Sequence, residues 1–287
     1  MTETLLLAAL PAVLLPSLFL LERRLPLREE RHALGRRLLV NAGISALALA
    51  SAYLVVRPAV DAMFERSSGQ SFGILHLADL PAPAGFLLAF LLMDLTFYWW
   101  HRANHHIGFL WRFHNTHHID PDLDASTSFR FHFVEVVLSA GFRVIQISIV
   151  GVGAWTYAIY DVVFTCGTIF HHSNLRLPVR LERVLNWIVV TPRMHGIHHS
   201  QVREENRSNF SVVFPWWDRL HRTLCLNVPQ SQVAIGIAGY SLSNDNTVWH
   251  AHAMAFRKQR DYWQDREGKR VRRDPAVSGA QRAHLEP

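Results

Sequence analysis

The sequence predicts an all-α protein, a polytopic membrane helical bundle with a cytoplasmic helical cap that holds a histidine-rich two-metal site. Three observations predict it. The 287 residues are 49% hydrophobic and only 18% charged, with a mean hydropathy of +0.07, so that membrane is the first solvent to consider. Several apolar runs with few or no charges reach the roughly 20 residues a helix needs to cross a bilayer. Most of the eighteen histidines fall in short clusters that share helical spacing.

The first apolar run is residues 4–21, uncharged and broken only by Pro11 and Pro16. It lacks the N-terminal cations of a signal peptide, and Glu22-Arg23-Arg24 stands where a small-residue cleavage site would be, which favours a retained helix. Residues 22–37 are rich in arginine, and residues 38–56 offer a second span. The positive-inside rule then puts the basic loop in the cytoplasm and the N-terminus outside. Residues 57–80 read as a polar, partly helical external loop, and residues 81–100 as a third span containing Asp94. An intramembrane carboxylate is a candidate functional group or a structural hydrogen-bond partner for a neighbouring helix. Residues 131–170 carry only Glu135, Arg143 and Asp161 as charges and are long enough to enter and return, with a turn near Gly151 to Gly153. From Asn174 onward the chain is polar and basic, and from about Arg257 it reads as an extended or disordered terminus. The expected division is 1–83, membrane helices and external loop; 84–223, the histidine-bearing domain; and 224–287, a cytoplasmic C-terminal segment.

The net charge of +6 is almost wholly arginine, since Lys258 and Lys269 are the only lysines. These cations flank apolar runs and form no single stripe interleaved with aromatics, which suits lipid headgroups and argues against nucleic acid. Cys166 and Cys225 are far apart and make no CxxC pair, so neither a disulfide framework nor a cysteine zinc site is expected.

The chemistry lies in the histidines. "WWHRANHH" puts His101 and His105 one helical turn apart, while "WRFHNTHH" supplies His114, His117 and His118 and "MHGIHH" supplies His195, His198 and His199. On a helix each set lies on one face. "FHHSN" adds His171 and His172. Asp94 lies two turns before His101, where it could orient that imidazole. Imidazole is a neutral donor for iron, zinc or copper, and about nine of them in an apolar setting exceed the three or four ligands of one zinc. Two metals follow. His32, His76, His106, His221, His250, His252 and His284 read as ordinary surface or core residues.

The boxes HxxxH, HxxHH, HHSN and HxxHH, with "DLTFYWWHR", "TPRMHGIHH" and "NFSVVFPWWDRLHRT" around them, resemble the fatty acid hydroxylase and sterol desaturase superfamily over roughly residues 86–223. The resemblance implies two iron ions on the cytoplasmic side, with zinc as a substitute in purified protein. It implies His101, His105, His114, His117, His118, His172, His195, His198 and His199 as ligands, His171 being the substitute for His172. It also brings Asn174 to the site, and "FRFHFVE" brings Arg130, His132 and Glu135 beside the ligands or the substrate. Glu135 reads equally as a helix-pairing carboxylate and His132 as an interfacial residue. The sequence departs from the family pattern at Ser211 and at His221-Arg222, where glycine is frequent, and substrate fit and the local loop are what this puts in question.

The implied function is oxidation of an unactivated lipid carbon by dioxygen, giving an alcohol or an alkene, with electrons from a ferredoxin or cytochrome-type donor drawn to the basic loops. Trp99, Trp100, Trp111, Trp216 and Trp217 can line the membrane interface. The alternative is a membrane metal transporter or sensor, which would string its histidines along a path through several helices. A zinc hydrolase is disfavoured because no HExxH is present.

Overall fold

The computed structural model describes residues 2–67 and 72–273, with side chains from residue 9 onward. Among these residues every regular element is helical, and pairing of extended chain is confined to isolated bridges such as Pro26 with Leu175. In order the helices are α1 (Thr2–Arg24), α2 (Leu34–Ser51), α3 (Arg57–Ser67), α4 (Ala82–His106), α5 (Gly108–His118), α6 (Phe133–Val150), α7 (Ala154–His172), α8 (Val179–Leu185), α9 (Pro192–His198), α10 (Arg203–Asn206), α11 (Trp216–Leu220) and α12 (Val248–Ala253).

The long helices form the membrane part. Leu34–Arg66, Ala82–His106 and Phe133–Val150 are each long and apolar enough to span a bilayer. The chain is a membrane protein. The second span does not stop at Val56 as expected from the sequence. A π-helical turn at Ala52–Val56 joins α2 to α3, and the helix runs on for 33 residues. Such a turn lets the helix absorb an extra residue without breaking its hydrogen-bond ladder. Arg57 and Asp61, the charges that suggested a loop, are exposed and pair across one turn at 3.7 Å.

Between α6 and α7 the expected hairpin turn is present. Gly151 closes α6 in the left-handed conformation, φ 74°, and a Cβ there would fall 2.2 Å from the Phe72 carbonyl oxygen, so only glycine fits. His132 starts α6 by accepting the Val134 N–H on Nδ1. In the bundle centre Ala89, Phe90 and Met93 of α4 pack with Val60 of α3, Ile147 and Val150 of α6, and Tyr160 of α7. Leu18 of α1 packs with Ile169 of α7 and with Ala125.

The short helices α5 and α8 to α12 gather over the end of the bundle where α4 and α7 finish and α6 begins. A second core joins Val40 and Ile44 of α2 to Trp111 of α5 and to Ile237, Tyr240, Ala251 and Met254. Expected to be extended or disordered from Arg257, the chain instead packs back as far as Arg273. Trp263 stacks on Trp111, with ring centroids 5.9 Å apart, and Arg273 pairs with Glu205 at 2.7 Å. Two aromatic side chains and one ion pair suffice where composition alone suggested none. Residues 274–287 lie outside the described part.

Candidate metal centre

Four helices carry the histidines to one place. α4 ends with His101 and His105, α5 with His114, His117 and His118, and α7 with His172, while α9 holds His195 and His198 with His199 at its end. Thr191 caps α9 by accepting the Met194 N–H, and Pro192 follows at the first position, where a missing N–H costs nothing. The nine rings are buried. They form two groups in which one nitrogen of each residue lies within 4.8 Å of the others. One is His101, His105, His114, His118 and His198; the other is His117, His172, His195 and His199.

The hydrogen bonds decide the tautomers. A carbonyl oxygen only accepts, so an imidazole nitrogen beside one carries the proton. His101 Nδ1 donates to Phe210 O at 2.8 Å, His198 Nδ1 to Ser208 O at 2.7 Å, His117 Nδ1 to Arg130 O at 3.2 Å and His172 Nδ1 to Thr168 O at 2.7 Å. His105 Nδ1 donates to Asn206 Oδ1 at 3.1 Å and His114 Nδ1 to Glu135 Oε1 at 2.7 Å. In these six residues Nε2 is therefore the bare nitrogen.

Bare nitrogens face one another. Nε2 of His101 lies 3.1 Å from Nε2 of His198, and Nε2 of His117 lies 3.0 Å from Nε2 of His172. Two lone pairs at that separation repel, and only a shared cation makes the arrangement favourable. The buried Nε2 atoms of His105, His114 and His118 have no hydrogen-bond partner at all, a costly state that a metal ion relieves. Nitrogen donors of this kind suit iron, zinc, copper or nickel.

Electrostatics agree. Burial first, and neighbouring imidazoles second, hold His117, His118, His195, His198 and His199 well below the ordinary histidine value, so they are neutral at pH 7. Neutral imidazole is the form that binds metal.

The surrounding residues depart in part from expectation. Glu135 faces a histidine, its Oε1 lying 2.7 Å from His114 Nδ1. Arg130 is fully buried and its backbone carbonyl holds the His117 ring, while its guanidinium is turned to other partners. Its guanidinium donates to Thr116 O at 2.9 Å, to Asn41 Oδ1 at 2.5 Å and to Asn246 Oδ1 at 2.7 Å, which fixes the end of α5 and so the carbonyl that holds His117. His132 caps α6 and donates from Nε2 to His252 O at 3.1 Å, away from both groups. Asn174 touches no histidine either, because both ends of its amide bond the backbone of Arg28, at 3.0 and 2.8 Å. His171 belongs to neither group. Its Nδ1 donates to Val212 O at 3.2 Å and its ring packs on that of His195, with centroids 4.1 Å apart, whereas its neighbour His172, about 100° further round the helix, turns its Nε2 into the second group.

Asp94 does not orient His101 directly. It accepts from Val213 N at 3.3 Å, Phe214 N at 3.0 Å and Trp217 Nε1 at 2.7 Å. What it holds is an extended segment that passes from the cap down beside α4. Alternate carbonyls of that segment, at Ser208, Phe210 and Val212, receive His198, His101 and His171. Asp218 holds the same segment through Phe210 N at 2.9 Å and Ser211 N at 2.8 Å. Non-helical backbone at membrane depth survives only when such partners satisfy it. Asn206, Asp218 and this run of carbonyls were missed from the sequence, because a backbone acceptor leaves no residue signature. The signal for Asp218 and for the Phe210 and Val212 carbonyls was "NFSVVFPWWD" itself, and Asn206 and Ser208 lie outside it.

At the departures from the family pattern, Ser211 is buried and its Oγ accepts the Asp218 N–H at 3.2 Å, so a side chain is accommodated there. Arg222 takes φ 58°, the left-handed conformation that glycine adopts freely.

Residues 86–223 match the fatty acid hydroxylase family model. Alkylglycerol monooxygenase of Xenopus tropicalis is 28% identical over 168 residues, 55% of this chain and 34% of its own length. Ornithine lipid hydroxylase OlsE of Rhizobium tropici is 28% identical over 153 residues, 53% of this chain and 45% of its own. Alkylglycerol monooxygenase of Homo sapiens is 30% identical over 155 residues, 52% of this chain and 33% of its own. The chain thus spans less than half the length of these relatives. No solved structure matches it. The matched residues contain every histidine of both groups, and the match places residues 86–223 of the chain in the fatty acid hydroxylase superfamily.

Proposed function

We propose that this chain is a membrane non-haem di-iron oxygenase. It hydroxylates, or desaturates, an unactivated carbon of a lipid such as a fatty acyl chain or sterol, with dioxygen and an external electron donor. The observation that carries this reading is the pair of adjoining imidazole groups whose bare nitrogens face each other in a buried setting.

His101, His105, His114, His118 and His198 would hold one iron, and His117, His172, His195 and His199 the other. Bound there, iron supplies the dioxygen activation and one-electron chemistry that no side chain provides. The protein's part is to hold each ring. Ser208, Phe210, Arg130 and Thr168 keep the Nδ1 protons on their carbonyls, and Glu135 does so for His114 with a carboxylate, which makes that imidazole a stronger donor. Burial excludes water from the centre. The relatives bear names of lipid monooxygenases and hydroxylases, which supports a lipid substrate.

The basic segments on the histidine-bearing end support a cytoplasmic position for that end by the positive-inside rule. In this reading residues 84–223 are the oxygenase domain, 1–83 its membrane anchor and 224–287 a cytoplasmic segment.

The test is anaerobic purification with metal counting, joined to mass spectrometry of lipids from expressing cells grown under isotopically labelled dioxygen. Two irons per chain and a lipid that gains one labelled oxygen or loses two hydrogens are expected, and His117→Ala should lose both signals. Stoichiometric zinc with unchanged lipids would refute the proposal.

A further inference from the structure

The C-terminal chain beyond the family-matched residues contains a surface that leads straight to the centre. Between residues 257 and 273 there are eight cations and three carboxylates. Part of this stretch is a hairpin: Val271 N donates to Trp263 O at 3.0 Å, Asp265 N donates to Lys269 O at 2.9 Å, and Gly268 turns the chain at φ 77°. Arg266, Lys269 and Arg270 project from its tip, exposed and outside every ion pair among the described residues.

At the base of the hairpin, partly exposed Trp263 stacks on buried Trp111, with centroids 5.9 Å apart and planes 21° apart. Trp111 in turn lies 4.9 Å from the His105 ring and 5.4 Å from the His118 ring, both members of the first histidine group. A single layer of aromatic rings thus connects a basic surface to two donor rings of the centre.

We propose that the hairpin is the docking site of an acidic one-electron carrier protein, and that Trp263 and Trp111 are the path by which its electrons reach the centre. This inference rests on the oxygenase reading. Oxidation of one lipid carbon to an alcohol consumes one dioxygen, two electrons and two protons and releases one water. The carrier supplies the electrons singly, each transfer oxidising one carrier molecule by one electron, and the protons come from solvent. Charge complementarity identifies the occupant: an interface that must form and part at each transfer is small and is steered by opposite charge. Contiguous π systems provide the electronic overlap that saturated side chains lack. A basic hairpin would also suit an anionic bilayer, so the test separates the two.

The probe is a plant-type [2Fe–2S] ferredoxin, with the purified iron-loaded protein in detergent micelles. Binding of oxidised ferredoxin is measured first. Photoreduced ferredoxin and, separately, dithionite then reduce the centre in anaerobic stopped flow. The triple variant R266E/K269E/R270E should weaken binding by about tenfold or more, and about 0.5 M salt should do the same to the wild type. Trp263→Leu should slow reduction by ferredoxin about tenfold at saturating ferredoxin, where any weakening of binding no longer counts, dithionite reducing both proteins equally fast. Trp263→Phe, which keeps a ring on Trp111, should restore most of the rate.

Equal ferredoxin rates in wild type and Trp263→Leu would overturn the proposal. So would slowing of dithionite to the same extent, or charge-dependent binding to vesicles of phosphatidylglycerol in place of ferredoxin. A wild-type protein that holds no reducible iron would instead refute the oxygenase reading itself.

Discussion

Removing the Asp94 carboxylate tests whether the segment that carries the imidazole-holding carbonyls is itself held from below. Three donors converge on it, Val213 N, Phe214 N and the Trp217 indole. In Asp94→Ala all three are left unpaired in a buried setting, at about 1–3 kcal/mol each. The total, about 3–9 kcal/mol before relaxation, is comparable to the roughly 5–15 kcal/mol stability of a typical domain. Asp94→Asn keeps one oxygen. Placed at Oδ2 it retains Phe214 and Trp217 and loses the longest bond, that of Val213, for about 1–3 kcal/mol. Thermal unfolding in detergent should therefore rank wild type, Asn and Ala in that order. The consequence for the centre is separable: freeing Val213 and Phe214 loosens the Phe210 carbonyl, so iron should bind about 10–100-fold more weakly in the alanine variant. Wild-type stability and wild-type iron in Asp94→Ala would refute the argument.

Glu135→Ala leaves His114 Nδ1 without its acceptor and should lower iron affinity about 10–100-fold, as measured by competition with a chelator. His172→Ala should remove iron from one group, whereas His171→Ala should retain the wild-type iron count, since its ring faces the Val212 carbonyl. The pH dependence has a definite sign. In the folded state His117, His118, His195, His198 and His199 are held well below 6.5, while in the unfolded chain they titrate near that value. Below about pH 6.5 the unfolded state binds more protons, so stability of the metal-free protein falls as pH drops through that window and is level above it. Thermal midpoints that rise on acidification from pH 7 to 6 would contradict this.

The helical class, the membrane setting and the convergence of nine histidines were legible in the sequence, because apolar length and helical spacing are local properties that survive without a fold. His101 and His105, one turn apart, must share a face wherever α4 lies. The sequence also led to Glu135, which meets His114. It could not separate His171 from His172, since adjacent residues on a helix differ only by a rotation whose reference is the neighbouring helix. It placed Asn174 and Asp94 at the rings, whereas tertiary packing set one against Arg28 and the other against Val213 and Phe214. It also ended the second span at Val56, because local charge at Arg57 and Asp61 outweighed the helical continuity that packing of α3 on α6 supports. What only the tertiary structure decided is which backbone carbonyls meet which imidazoles. Every residue carries the same carbonyl, so that choice has no side-chain signature and comes into being only when Asp94 and Asp218 bring the extended segment alongside α4.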